Sequence, residues 1–252
     1  MRASHLQHGQ RGLSLVELMV ALLLGSVLII GVTQLFLDQK RHAQFQFGQL
    51  ANQGNARFAT HAIERLVARA GYRARPQAQI AEEAFPARGA VHGCPAFAAG
   101  QTLALAQGNR SAALCVRYQR GLEAQEADCS GASLPFSTKP LNVVAHLALD
   151  SNAGKLTCTS FVEGGSGPGS ASVLVEDMVD FSFQPLADST EQVQQVGLYL
   201  LFAGKGGQGD GIVSGVRNDW QALSGRAPAI AASDTRPLQI AFAAIAQRNL
   251  KP

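Results

Sequence analysis

Hydrophobic positions along the chain change period as the sequence is followed from its start. From Leu18 to Leu37 no residue carries a charge. At 1.5 Å rise per residue, a helix of that length spans roughly 30 Å, the thickness of a bilayer core. Gly25, Ser26 and Gly31 lie inside the run and no A-x-A site follows it. The pattern therefore predicts a retained membrane-spanning helix and not an ordinary cleaved secretory signal. Further on, Ala59, Ala62, Ile63, Leu66, Val67 and Ala70 recur at i, i+3, i+4, i+7 spacing, with His61, Glu64, Arg65 and Ala68 on the other side. That spacing predicts an amphipathic helix with its apolar face laid on a sheet. Gly71 is placed to end it, and Pro76 forbids continuation. A single helix from about Leu13 to Ala70 would be roughly 85 Å long, with Gly48 and Gly54 as points where it can bend.

Beyond Gly71 the period shortens. Residues 74–112 are rich in Ala, Gly and Gln and contain Pro76, Pro86 and Pro95, which predicts irregular chain with weak strands. "ALCVRYQ" then alternates at Leu114, Val116 and Tyr118. "LNVVAHLALD" and "KLTCTSFVE" are two strands joined by the turn-rich Ser151–Gly154. "GGSGPGS", Gly164 to Ser170, reads as a loop. "ASVLVEDMVDFSFQP" and "VQQVGLYLLFAG" read as one strand each, "GKGGQGDG" and Trp220 as irregular chain, and Leu238–Ala246 as the last strand. The expected fold class is α+β: a long N-terminal helix, its first half transmembrane, packed on a C-terminal antiparallel β-sheet domain. The expected divisions are 1–12, 13–37, 38–70 and 71–252.

Charge and cysteine content narrow the setting. The chain has 252 residues and a formal charge of +3. Loss of the first twelve residues takes Arg2 and Arg11 with it and leaves 19 basic against 18 acidic residues, or +1. A near-neutral body gives no general reason to expect nucleic-acid binding, which needs a basic face. Cys94, Cys115, Cys129 and Cys158 all follow the apolar segment, and none forms a CxxC pair. An even count behind an export-type N-terminus favours disulfides in an oxidising compartment. Charges flanking the apolar run barely discriminate its orientation, so the cysteines place the C-terminal body outside the cytoplasm. Three connectivities exist for four cysteines. Cys94–Cys115 with Cys129–Cys158 is favoured, because both join near neighbours and Cys158 lies on a strand able to return beside the loop of Cys129.

Glu17 is the costly residue of the apolar segment. An acid at a helix centre in a bilayer costs about 2.5–3.5 kcal/mol, less near the end, where it reaches the headgroups. It therefore needs either the interface or a partner cation. Cleavage after Gly12 would give Leu13 a free α-amino group one helical turn from Glu17, and the two charges would offset each other's desolvation.

"RGLSLVELMVALLLG", Arg11 to Gly25, resembles the class III signal of type IV pilins and of the related type II secretion pseudopilins. A short basic leader ends in Gly12, a hydrophobic first mature residue follows at Leu13, and glutamate stands fifth at Glu17. The resemblance implies cleavage between Gly12 and Leu13 by prepilin peptidase, N-methylation of Leu13, and a role for Glu17 in recruiting the subunit into a filament by pairing with a neighbour's N-terminus. One departure is Gln34, at the place where major pilins usually carry a proline that loosens the helix. "NQGNARFATHAIERLVARAGYR", Asn52 to Arg73, "VEDMVDFSFQ", Val175 to Gln184, and "RPLQIAFAAIAQRN", Arg236 to Asn249, are similar to segments of PilW-like minor pilins. J-type pseudopilins share some of this architecture. The resemblance implies an inner-membrane, single-pass protein with a periplasmic body that later joins a pilus near its tip. Its implied partners are the major pilin, other minor pilins, prepilin peptidase and the assembly platform. Its implied role is to prime assembly in support of motility, adhesion or DNA uptake.

Enzymatic chemistry finds little support in the residues. "AGKGGQGDGIVSG", Ala203 to Gly215, places its lysine before the glycines, and no [ST] follows a GK pair, so a phosphate loop is not expected. Asp210 lacks calcium-loop spacing. The histidines His5, His8, His42, His61, His92 and His146 show no ligand spacing outside the leader. Ser166 and Ser214 lack the G-x-S-x-G elbow, and Asn109 begins a formal glycosylation sequon of little weight. No catalytic residue, metal, cofactor or small-molecule substrate is expected. A membrane-tethered periplasmic enzyme is the alternative of another class, and it gives the processing motif no role.

Overall fold

The structure is a computed structural model and describes residues 12, 14–107, 111–122, 126–165, 167–186, 195–205, 212–228, 230–231 and 234–249. Its first element, helix α1, runs without interruption from Leu15 to Arg69. The chain divides into two compact units, Met1–Gln44 and Phe45–Pro252, and α1 contributes to both. In the first unit α1 is apolar and uncovered from Leu18 to Leu37 and turns polar from Asp38 to Gln44. Gln34 keeps the backbone N–H that a proline would remove, and the helix passes through it unbroken.

In the second unit α1 buries one stripe: Gly48, Asn52, Ala56, Ala59, Ile63 and Leu66, with Val67 beside it. Steps of three and four keep these residues on one face. The upper positions are small for a reason. A Cβ on Gly204 would stand 2.8 Å from the carbonyl oxygen of Gly48, so helix and strand backbone touch there. Asn52, wholly buried at this crossing, donates to the Pro237 carbonyl at 3.0 Å. Gly48 thus serves a close approach within a continuous helix. The helix ends at Gly71, whose φ of 73° is the left-handed conformation that glycine adopts without strain.

Two antiparallel sheets complete this unit. The first has the order β1(Leu103–Gln107)-β2(Ser111–Gln119)-β3(Asn142–Asp150)-β4(Lys155–Val162)-β5(Ser172–Val175). The second has the order β6(Met178–Pro185)-β7(Gln195–Ala203)-β8(Leu238–Ala246). One hydrophobic core joins the α1 stripe to Leu114, Val116 and Tyr118 of β2 and to Phe181, Leu200 and Ile245 of the second sheet. The opposite face of β2 is buried as well. Cys115 lies with Phe97, Val144 and Phe161 under the segment that contains helix α2(Ala81–Ala84).

The stretch 74–112 is mostly irregular and holds the short strand β1 and the start of β2, whose Ala-rich sequence carries little strand signal. Two local expectations are corrected. "ASVLVEDMVDFSFQP" is two strands in different sheets: the chain leaves the first sheet at Val175 and enters the second at Met178, turning at Asp177 with φ 61°. Trp220 lies on helix α3(Ile212–Ser224). There Val216 and Trp220 pack on Val179, Leu201 and Ala203, on the face of the second sheet opposite the main core.

Candidate functional site

The sequence singles out the start of α1. Gly12 is exposed and precedes the helix, while Leu13 lies outside the described residues. The first turn is closed by the Leu18 N–H, which donates to the Ser14 carbonyl at 3.1 Å. Glu17 sits in that turn, at the positive end of the helix dipole, where a carboxylate is favoured. Among the described residues no ion pair reaches it. The segment behind it hides its hydroxyls from apolar surroundings: Ser26 donates to the Leu23 carbonyl and Thr33 to the Ile29 carbonyl. Large side chains from Leu15 to Leu37 stand open, Leu28 at 70% exposure. A continuous apolar surface of this size is covered by lipid or by other helices when the protein functions.

A second exposed apolar row continues on α1 within the body. Phe47 (70% exposed), Leu50, Gly54 and Phe58 lie on the side turned away from the core. At 100° per residue Phe47, Gly54 and Phe58 fall nearly in line. Helical periodicity in the sequence marks only the buried stripe. The signal for this one was the F-x₂-L-x₇-F spacing itself.

The body holds α1 at both ends of its buried half. Asn249, just past β8, donates through Nδ2 to the carbonyls of Ala68 (2.9 Å) and Ala70 (3.2 Å), satisfying groups that a helix C-terminus leaves open. Arg69 pairs with Glu126 at 2.6 Å and lies over the Tyr118 ring. Burial pushes the Tyr118 phenol up to about 12, against the opposing effect of Arg69.

Disulfides fasten both loop segments. Cys94 is bonded to Cys115 and Cys129 to Cys158, with Cα atoms 5.8 and 6.0 Å apart. The first bond ties the 86–101 segment to β2, over a buried polar cluster. There the Arg117 side chain, fully enclosed, donates to Glu163 Oε2 (3.1 Å) and to the Pro86 carbonyl (3.0 Å). Its Nε lies 3.0 Å from Glu163 Oε1, an ionic contact without hydrogen-bond geometry. Arg88 and Asn142 also reach Glu163. On the second sheet Asp180 pairs with Arg226. Burial raises the Asp180 carboxyl above its ordinary value, while Arg226, the Phe181 N–H and the Trp220 indole pull it down.

Among the described residues no three His, Cys, Asp or Glu side chains gather as metal ligands. Asp210, the glycines around it, Ser166, His5, His8 and Asn109 lie outside those residues.

Comparison with known proteins bears on the N-terminus. The profile of the prokaryotic N-terminal methylation motif matches residues 7–33. No curated protein matches the chain. Among solved structures the chain is similar to a type IV-like pilin from Thermus thermophilus, at 15% identity and a TM-score of 0.46, over 76% of this chain and 94% of that one. The methylation motif thus lies on the front of a helix that is long and apolar enough to cross a membrane.

Proposed function

We propose that the chain is a minor pilin of the PilW-like kind, an accessory subunit that helps prime type IV pilus assembly. The observation that carries this reading is Glu17 in the first turn of an apolar helix, five positions after Gly12 and inside the methylation motif. Prepilin peptidase cuts between Gly12 and Leu13, and the new N-terminus of Leu13 is methylated. The subunit waits in the inner membrane, the 13–37 helix half in the bilayer and the body in the periplasm, where its two disulfides are stable. During assembly the Glu17 carboxylate meets the Leu13 ammonium of a neighbouring subunit. In an apolar bundle an unpaired charge costs several kcal/mol, so the pair sets the axial register of one helix on the next. The open row Phe47, Leu50 and Phe58 supports the same reading, as a surface for other pilins along the helix. The filament serves motility, adhesion or DNA uptake.

Mass spectrometry of the purified subunit tests processing: the expected N-terminus is methylated Leu13, and an intact Met1 terminus sinks the filament reading. Glu17→Ala is expected to abolish incorporation into sheared filaments while leaving the fold unchanged by circular dichroism. Recovery with secreted-protein machinery instead of pili would assign the chain to a J-type pseudopilin role.

A further inference from the structure

We propose that the free edge of β8 is a strand-addition site for an extended segment of a different polypeptide. Strand β8 ends the order β6-β7-β8, and its nine residues, LQIAFAAIA, keep an unbroken register with β7. They include no charge, proline or glycine. The other three edges are blunted. β1 has five residues, β5 has four with a register shift, and β6 has a register shift, the Asp180–Arg226 pair and a terminal proline. Proteins protect their edges by such devices, and β8 carries none.

The phase of the ladder shows which groups face outward. Gly204 N–H donates to the Pro237 carbonyl at 3.0 Å, which makes these two a hydrogen-bonded pair. By alternation Gln239, Ala241, Ala243 and Ile245 bond to β7, and Leu238, Ile240, Phe242, Ala244 and Ala246 turn their N–H and C=O out of the sheet. Among the described residues no backbone group answers them. Beside this edge is a cleft of about 690 Å³, walled by Arg57, Thr60, His61 and Glu64 of α1 and by residues 239–242 of β8. Among the described residues Arg57 and Glu64 enter no ion pair. An added strand would place alternate side chains towards these two charges and the others beside Phe242, which is 55% exposed and stacked on Tyr199. A row of backbone donors and acceptors is answered by another extended backbone and not by a helix. The occupant is therefore an extended segment with apolar residues on one face and charged or polar ones on the other.

A second copy of this chain does not fit. Its other edges are blunted, which leaves β8 pairing with β8. Equal residues of a parallel pair cannot both turn their backbone groups to the seam, so a two-fold pairing must be antiparallel. Asn52 bonds to Pro237 before β8, and Asn249 bonds to Ala68 and Ala70 after it, so β8 runs alongside α1 in the same direction. Antiparallel pairing would set the 52–69 stretches of the two α1 helices antiparallel, so the two chains would enter their bodies from opposite sides.

The proposal is independent of the filament reading, because its test needs no assembly. The full chain in detergent is titrated with a blocked nine-residue peptide that alternates valine with threonine and carries one glutamate and one lysine on the threonine face. Saturable binding is expected, with slowed hydrogen exchange at Ile240, Phe242 and Ala244. Ala244→Pro removes only an outward N–H and is expected to weaken binding roughly tenfold. If that variant does not fold, Phe242→Lys, at an exposed position, is expected to weaken binding severalfold. No saturable binding at millimolar peptide overturns the proposal, as does unchanged affinity in the folded variant. A homodimer in sedimentation that Ala244→Pro dissolves also overturns it, because the occupant would then be a second copy.

Discussion

Arg117 and Glu163 show how much a single pair can hold. The arginine side chain is fully buried and Glu163 nearly so, so removal of either charge strands the other in a low dielectric. Glu163→Ala is expected to destabilise the full chain by about 3–5 kcal/mol in chemical unfolding, whereas Arg117→Met combined with Glu163→Gln should lose less than the single substitution. His146 gives a pH dependence of definite sign. It pairs across strands with Cys115 and Thr159, and Gly93 packs on its ring, where a Cβ would stand 2.7 Å from Cε1. Burial lowers its pKa below the ordinary 6.5, so the folded state favours neutral imidazole. Its contribution is complete above 6.5 and is lost as the pH falls through the lowered folded value. Acid should therefore reduce the thermal midpoint of the native chain, and His146→Gln should flatten that part of the profile. None of these contacts is legible in the sequence. Arg117 reads as the polar member of an alternating strand, and nothing local says that its face is covered too.

The elements divide into those set by their own pattern and those set by neighbours. The α1 stripe from Ala56 to Val67 follows from helical spacing, and the last strand, Leu238–Ala246, is delimited by its own apolar run. The break between β5 and β6 has no such local mark. Val173 to Phe183 reads as a single strand of alternating character, and the corner at Asp177 arises because Met178 is drawn into the second sheet's half of the core. Trp220 reads as irregular chain because Gly215 and the glycines before it hide the short α3 pattern, which only docking on the second sheet rewards. Two substitutions test how α1 is held. Gly204→Ala drives a Cβ against the Gly48 carbonyl and should cost about 1–3 kcal/mol, because neither backbone can yield cheaply. Asn249→Ala should cost about 1 kcal/mol through loss of the carbonyl cap, read as faster hydrogen exchange in the last turn of α1.

For the whole molecule the disulfides are the largest covalent constraint. Cys94 and Cys115 are 21 positions apart, and in the chain-entropy model a loop of that length contributes about 3 kcal/mol. Cys94→Ser with Cys115→Ser is expected to open the 86–101 segment to protease first, since the segment has two isolated bridges but no helix or strand of its own. The sequence by itself determined the apolar helix, its acid near the start, the amphipathic continuation and most strands. These depend on local periodicity and on residue types whose cost in a bilayer is intrinsic. Only the tertiary structure decided that the strands divide into two sheets, that β2 is buried on both faces, and that three sheet edges are blunted while β8, among the described residues, has no strand on its outer side. Those outcomes depend on which distant segments compete for the same hydrophobic core, and no short stretch of sequence records that competition.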